Sequence, residues 1–128
     1  MNAYSNLGYA QAAAPTRTPR AAEYEVIARI TRRLSAAAAR RKENYADFIA
    51  ALAENERLWF TLAVDVADDG NGLPQALRAR LFYLYRFTTE HSRKIRIGQA
   101  DPGVLVDINT AVLRGLRGEG GASCPASS

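Results

Sequence analysis

The amino-acid sequence predicts an all-α fold, a compact bundle-like array of four to five helices with flexible termini. Apolar residues recur at spacings of three and four along most of the chain, which places them on single helix faces. Two pairs of a capping residue followed by proline, Thr18-Pro19 and Asp101-Pro102, indicate helix starts. No segment alternates apolar and polar residues for long enough to indicate a strand.

The chain length and the composition of its ends predict one folded domain. Its 128 residues are enough for a single core and leave no room for a second. We expect an extended or flexible segment over residues 1–18, a helical domain over 19–117 and a disordered tail over 118–128. Tyr4 and Tyr9 are the large anchors of the first segment, should it order on binding a partner.

The first two helices are predicted from their caps and stripes. The first begins at Thr18, which acts as its cap, and Pro19 suits the first helical position because it has no N–H to leave unpaired. Asn44 is predicted to cap the second helix. Asn55 falls on the apolar stripe of that helix, where a lone amide costs a few kcal/mol unless it is hydrogen-bonded. We therefore expect a break, with Asn55 as the cap of a new helix running to about Ala67.

A turn and a helix with surplus apolar residues follow. Residues 68–72 form a turn signal, in which we expect the Asn71 side chain to accept from the N–H of Leu73. Pro74 then opens the next helix, which should end near Gly98. One face of this helix carries the apolar stripe Leu77, Leu81, Leu84, Tyr85 and Thr88.

Tyr83 and Phe87 lie on roughly the opposite face of the same helix. A surface helix needs only one apolar stripe. Either this helix is central, with neighbours on two sides, or its extra aromatic side chains are offered to a partner. The sequence leaves both alternatives open.

Three further residues have both a structural and a partner-binding interpretation. Trp59 is interpreted as core, with an interface hot spot as the alternative. Asn109 borders the last apolar stripe, so it is either a hydrogen-bonded amide between helices or a contact to a guest. Arg78 is predicted to pair with Asp65 or Asp69, a pair worth less than about 1 kcal/mol if exposed. The last stripe is Leu105, Ile108, Val112 and Leu116.

Charge is distributed in blocks. Residues 29–42 contain six basic side chains and no acid, whereas residues 43–69 contain seven acids against the single Arg57. Such blocks are typical of helix faces that attract one another when packed antiparallel. The alternative is that the basic face binds RNA or an acidic partner.

Residues for catalysis or metal binding are sparse. His91 and Cys124 are the only histidine and cysteine, so we expect no zinc site and no internal disulfide. We also expect no nucleophilic triad, because its base would have to be His91, which lies between Glu90 and Ser92 on a polar helix turn. The acidic stretch that begins at Asp65 lacks the glutamate of a calcium loop. We therefore expect a protein that is not an enzyme and needs no cofactor. It contains no apolar run of spanning length, so we expect no membrane insertion and a cytoplasmic location.

From Asn55 onward the sequence resembles the FlaF family of flagellar biosynthesis regulators. The resemblance consists of several short sequence signatures, which are specific only in combination, through their order and spacing. Weaker similarity lies upstream at Ala3-Tyr4, at Pro19 and over residues 30–34. The signatures are residues 55–59, Asp65, residues 71–79, residues 105–109 and Gly115-Leu116.

The resemblance implies a cytoplasmic protein that binds flagellin before secretion, as an export chaperone or regulator of flagellin synthesis. It also implies a role alongside the regulator FlbT, and it brings no catalytic residues. Flagellin has long amphipathic terminal segments, which a helical module with an apolar groove can cover. Under this hypothesis Tyr83, Phe87 and Trp59 contact the guest, with Arg78 and Asn109 as further candidates. The rival hypothesis is an RNA-binding regulator of flagellin mRNA, and the oligomeric state is open.

Overall fold

The computed structural model describes residues 19–117. Within this range the chain forms four α-helices and no strand, which confirms the predicted all-α class. A 3₁₀ turn, Asp69–Asn71, lies between the second and third helices. The expectations for residues 1–18 and 118–128 lie outside the described residues. The helices are α1 (Pro19–Ala39), α2 (Tyr45–Ala67), α3 (Gln75–Arg96) and α4 (Gly103–Arg117).

The helices pack antiparallel to their neighbours. Arg29 and Arg33 of α1 form ion pairs with Glu54 of α2, and Arg33 also pairs with Asp47, which lies earlier in α2. On its other side α1 packs against α4, while α3 packs mainly on α2. The pair α1 and α2 is therefore central, and α3 and α4 are the two outer helices.

The predicted helix boundaries depend on local hydrogen bonds, and the structure contains them. The Asn44 side chain accepts from the backbone N–H of Asp47 at 3.1 Å. The Asp101 side chain accepts from the N–H of Gly103 at 3.1 Å, at the start of α4. Gly98 follows α3 with a φ of 76°, a conformation that costs glycine little because it has no Cβ.

The predicted break at Asn55 is wrong. Helix α2 runs without interruption from Tyr45 to Ala67, and Asn55 lies in its middle, fully buried. The Asn55 Oδ1 atom accepts a hydrogen bond from Asn109 Nδ2 of α4 at 2.8 Å. This bond offsets part of the cost of burying the amide, because it satisfies the oxygen, and the helix continues without a break.

The core consists of two apolar clusters with a polar layer between them. Thr31, Asn55 and Asn109 form that layer, and in each of their helices it separates residues of one cluster from residues of the other. The first cluster includes Leu34, Phe48, Leu52, Ile95 and Leu105. The second includes Ile27, Ile30, Leu58, Trp59 and Leu62, with partly buried residues of α3 and α4 packed against it.

Asn109 makes most of the hydrogen bonds of the polar layer. Its Oδ1 accepts from Trp59 Nε1 at 2.9 Å, and its Nδ2 donates to Thr31 Oγ1 at 3.0 Å as well as to Asn55. The Thr31 hydroxyl in turn donates to the Ile27 carbonyl at 2.6 Å. One residue of α4 therefore joins α1 and α2 through their buried side chains. Among residues 23–116, two buried polar atoms have no hydrogen-bond partner, Asn55 Nδ2 and Ser92 Oγ.

None of the four described helices combines the length and the apolar composition that a membrane crossing requires.

Candidate docking groove

An apolar groove opens at one end of the bundle, where α1 and α3 begin and α2 and α4 end. We call it the open-end groove. Its volume is about 410 Å³, within the range of pockets that bind ligands or side chains. All four helices and the turn before α3 contribute to its lining. The apolar lining residues are Ile27, Leu62, Val66, Leu73, Leu77, Leu81, Leu84, Ala111, Val112, Gly115 and Leu116.

The groove exists because the first half of α3 is incompletely covered. The buried side chains of α3 are Thr88, Ser92 and Ile95, all in its second half. Every side chain of residues 75–87 keeps some exposure to solvent, including the stripe that begins at Leu77. On the facing side, Ala111 and Gly115 of α4 are small and exposed, so they leave the groove wide at that wall.

The rim of the groove is polar. Glu23, Asp65 and Arg80 line it together with Asn71. Burial raises the pKa of the Asp65 carboxyl, and the nearby charge of Asp68 adds to the effect. An apolar floor with a few polar groups at its edge is the usual composition of a site that binds an amphipathic segment.

The turn between α2 and α3 shapes one end of the groove. Asn71 Oδ1 accepts from the N–H of Leu73 at 3.0 Å, as predicted, and Asn71 Nδ2 donates to the Asp65 carbonyl at 3.0 Å. Gly72 has a φ of 92°, and Pro74 directly precedes α3. These contacts place Leu73 on the groove wall, so residues that the sequence indicated as turn chemistry also form part of the site.

Arg78 is committed to the end of α2. Its Nε donates to the Val66 carbonyl at 2.8 Å, and its Nη2 donates to the Asp68 carbonyl at 3.2 Å. The predicted pairing with Asp69 is present at 3.7 Å. The guanidinium therefore satisfies the Val66 carbonyl, which lies in the last turn of α2, where carbonyls have no partner within the helix.

We expect Arg78→Met to lower the free energy of unfolding by about 1–2 kcal/mol, because the methionine keeps the aliphatic stem and loses the charged donors. Urea denaturation would measure the loss. Arg80→Met is a matched control, since Arg80 is exposed at the groove rim, and it should change stability by less than about 0.5 kcal/mol. Equal losses in both variants would contradict a capping role for Arg78.

Trp59 and Asn109 lie in the interior. Both side chains are almost completely buried, and they are hydrogen-bonded to each other in the polar layer. This placement agrees with the core interpretation of Trp59 and with the interhelical amide interpretation of Asn109. Neither side chain lies on a surface that a partner can reach in this structure.

Tyr83 and Phe87 are exposed, Tyr83 by 65%. Helix α3 is therefore not the central helix that one sequence interpretation required. Arg80, Tyr83 and Phe87 are spaced by three and four residues, so they share one strip of the helix surface. Arg80 lines the groove, whereas Tyr83 and Phe87 lie outside its lining, further along this strip. Phe87 stacks on His91, with ring centroids 5.4 Å apart.

The sequence interpretation missed a second exposed aromatic surface. Phe60 and Val64 of α2 are exposed, and Phe60 contacts Tyr85, with ring centroids 6.3 Å apart. Phe82 also contacts Tyr85, at 5.7 Å. The sequence could have indicated this surface, because Phe60 and Val64 lie beside the apolar stripe of α2 that contains Trp59 and Leu62, and not on it.

The described residues contain no group of three or more histidine, cysteine, aspartate or glutamate side chains that could hold a metal ion. The groove combines an apolar surface with a polar rim, an arrangement that can bind a segment of chain.

Comparison with known proteins gives one family. The family model described as flagellar protein FlaF matches residues 5–116. The match covers the described helices up to Leu116, which is also the last groove residue. No curated protein and no solved structure matches the chain.

Proposed function

The chain belongs to the FlaF family of flagellar proteins, and on this premise we propose that it binds flagellin through the open-end groove before the flagellin is exported. The guest is an amphipathic helical segment of flagellin, whose apolar face enters the groove. The protein then acts in the cytoplasm as an export chaperone or regulator of flagellin synthesis, alongside FlbT.

The observation that carries this proposal is the incomplete cover of α3 in a protein of a flagellar family. Helix-in-groove binding needs a channel that accepts apolar residues at positions i, i+3 or i+4, and i+7 of the guest. The groove supplies leucine and valine side chains from helices on both sides. A guest helix laid between α3 and α4 would remove these side chains from water, which favours binding.

The polar rim suits the opposite face of such a guest. Charges at a rim contribute mainly to encounter rate and to register rather than to affinity. Tyr83 and Phe87 extend the apolar contact beyond the groove along α3, and aromatic residues are enriched at binding surfaces. On this proposal they contact a part of the guest that protrudes from the groove.

The RNA-binding alternative depends on the basic block of α1. Arg29 and Arg33 already pair with Glu54 of α2, at 3.3 and 2.9 Å. Burial opposes ionisation of Glu54, but the hydrogen bonds from Arg33 and Arg29 outweigh it and lower its pKa. Two arginines of the block are thus engaged within the protein, which favours flagellin over RNA.

Co-purification tests the proposal. The tagged protein is expressed with native flagellin, with flagellin lacking its N-terminal segment and with flagellin lacking its C-terminal segment. We expect native flagellin to be retained and one of the truncated forms to be lost. Retention should persist at high salt, because an apolar groove does not depend on counterion release, whereas phosphate contacts weaken steeply with salt. Failure to retain any form of flagellin would refute the proposal.

We expect Tyr83→Ala combined with Phe87→Ala to weaken flagellin binding by about tenfold, because two exposed aromatic contacts are lost. The free energy of unfolding should fall by less than about 1.5 kcal/mol, because Tyr83 is mostly exposed, whereas Phe87 is more than half buried and stacks on His91. Isothermal titration calorimetry measures the affinity. Arg32→Glu combined with Arg40→Glu serves as the comparison, since both arginines are exposed, and it should abolish any RNA binding while largely sparing flagellin binding.

A further inference from the structure

The open-end groove lies directly beside the point where the first 18 residues join the helices. Helix α1 begins at Pro19, and its first turns supply Glu23 and Ile27 to the groove wall. Four residues of helix separate Pro19 from Glu23, a rise of roughly 6 Å. Eighteen extended residues span up to about 60 Å, so residues 1–18 can reach every part of the groove.

The composition of residues 1–18 fits the groove. Tyr4, Leu7 and Tyr9 are large apolar or aromatic side chains separated by small and uncharged residues. The segment has no acidic residue, and its one side-chain charge is Arg17. The groove has a leucine-rich floor, and its rim carries Arg80 as well as the carboxylates of Glu23 and Asp65. The segment is therefore complementary in polarity to the floor of the groove.

The extent of the family match is an independent observation. The matched range begins at residue 5, within this segment, and ends at Leu116, the last residue of the groove wall. The family match therefore covers Leu7 and Tyr9 of the segment and begins just after Tyr4.

We propose that residues 1–18 of the chain occupy the open-end groove when no flagellin is bound, with Tyr4, Leu7 and Tyr9 inserted between α3 and α4. The segment shields the groove from water and from other apolar chains. Flagellin must displace it to bind. The competition, although not the docking itself, rests on the flagellin-binding function proposed above.

Paramagnetic labelling of the full-length chain tests the docking without flagellin. A nitroxide is attached to Ser5→Cys in a Cys124→Ser background. We expect it to broaden the methyl signals of Leu84 and Val112 in the groove more than those of Leu34 and Leu52 at the other end of the bundle. A label on the natural Cys124 is the control for broadening that arises only because a label is tethered near the groove. Cys124 lies 8 residues from Leu116 of the groove wall, whereas Ser5 lies 14 residues from Pro19, where α1 begins.

An anchor variant separates docking from chance contact. The triple change Tyr4→Ser, Leu7→Ser and Tyr9→Ser should remove the selective broadening from the Ser5→Cys label. The matched triple change Ala10→Ser, Ala12→Ser and Ala13→Ser should retain it. The docking is overturned if the Ser5→Cys label broadens the groove signals no more than the Cys124 label does, or if the anchor variant leaves the broadening unchanged.

Flagellin affinity then tests the competition. The anchor variant should bind flagellin on the order of tenfold more tightly, because the groove no longer has to be vacated. If the Ser5→Cys label causes selective broadening but the anchor variant binds flagellin with unchanged affinity, the segment docks in the groove without competing with flagellin. That result would overturn the competition and leave the docking in place. The opposite outcome is that the Ser5→Cys label causes no selective broadening, yet added flagellin shifts the groove signals. That result would overturn the docking of residues 1–18 and support the proposed flagellin binding. The two failures are therefore distinguishable.

Discussion

Leu77→Asp combined with Ala111→Asp is expected to lower the affinity for flagellin by at least about a hundredfold, which corresponds to about 2.7 kcal/mol. Leu77 and Ala111 line the groove from α3 and α4, and both are exposed to solvent in the free protein. Water hydrates the two carboxylates there, so the fold tolerates them. A bound apolar helix would exclude that water and leave both charges without partners, at a cost of several kcal/mol.

A second pair of aspartates distinguishes the groove from exposed apolar surface in general. Phe60→Asp combined with Val64→Asp places the same two charges on α2, where both parent side chains are exposed and outside the groove lining. We expect this variant to bind flagellin within about threefold of the parent, since its changes lie outside the guest contact. Titration calorimetry of both variants, with circular dichroism to verify helix content, makes the comparison. A loss confined to the α2 pair would move the site to the Phe60 surface.

The elements of this fold that the sequence predicted are those determined by local chemistry. Asn44, Asp101 and Gly98 act within a few residues of their own positions, through a cap or a left-handed backbone conformation. The same holds for the bond between Asn71 and Leu73. Propensity and capping depend on sequence neighbours, so a pattern of neighbouring residues is enough to place them.

The groove could not be predicted in the same way, because it depends on which helices are neighbours. The apolar stripe of α3 indicates a buried face, yet its first half remains partly exposed because α3 packs mainly on α2. The surplus of aromatic residues at Tyr83 and Phe87 did indicate that this helix offers more apolar surface than one contact needs. Which part of that surface forms a groove became visible only from the arrangement of α4.

The error at Asn55 has the same origin. The expected break followed from the cost of burying a lone amide, and that cost is real. What the sequence did not show is that Asn109, 54 residues later, brings a second amide to the same layer. Two residues that each look costly in isolation are hydrogen-bonded to each other in the fold. The role of Asn55 therefore depends on a residue that is distant in sequence, whereas Asn44, with the same side chain, caps a helix through a neighbouring residue.

We expect Asn109→Leu to lower the free energy of unfolding by about 2–5 kcal/mol, the largest effect on stability among the variants considered. Leucine has a similar size but no polar atoms, so Trp59 Nε1 and Asn55 Oδ1 lose the partners they have in the polar layer. Each buried polar group left unpaired costs about 1–3 kcal/mol. Urea denaturation followed by the fluorescence of Trp59, the single tryptophan, measures the change.

Ser92→Ala is the matched control for the hydrogen-bonding explanation. Ser92 is as deeply buried as Asn109, but its hydroxyl has no partner among the described residues. Removing this hydroxyl should leave stability within about 0.5 kcal/mol or raise it, because no bond is lost and an unpaired polar atom disappears. If both variants lose the same free energy, tight packing rather than hydrogen bonding determines the contribution of the layer. A large loss for Asn109→Leu alone means that the paired amides hold α4 against α1 and α2, and with it the α4 wall of the groove.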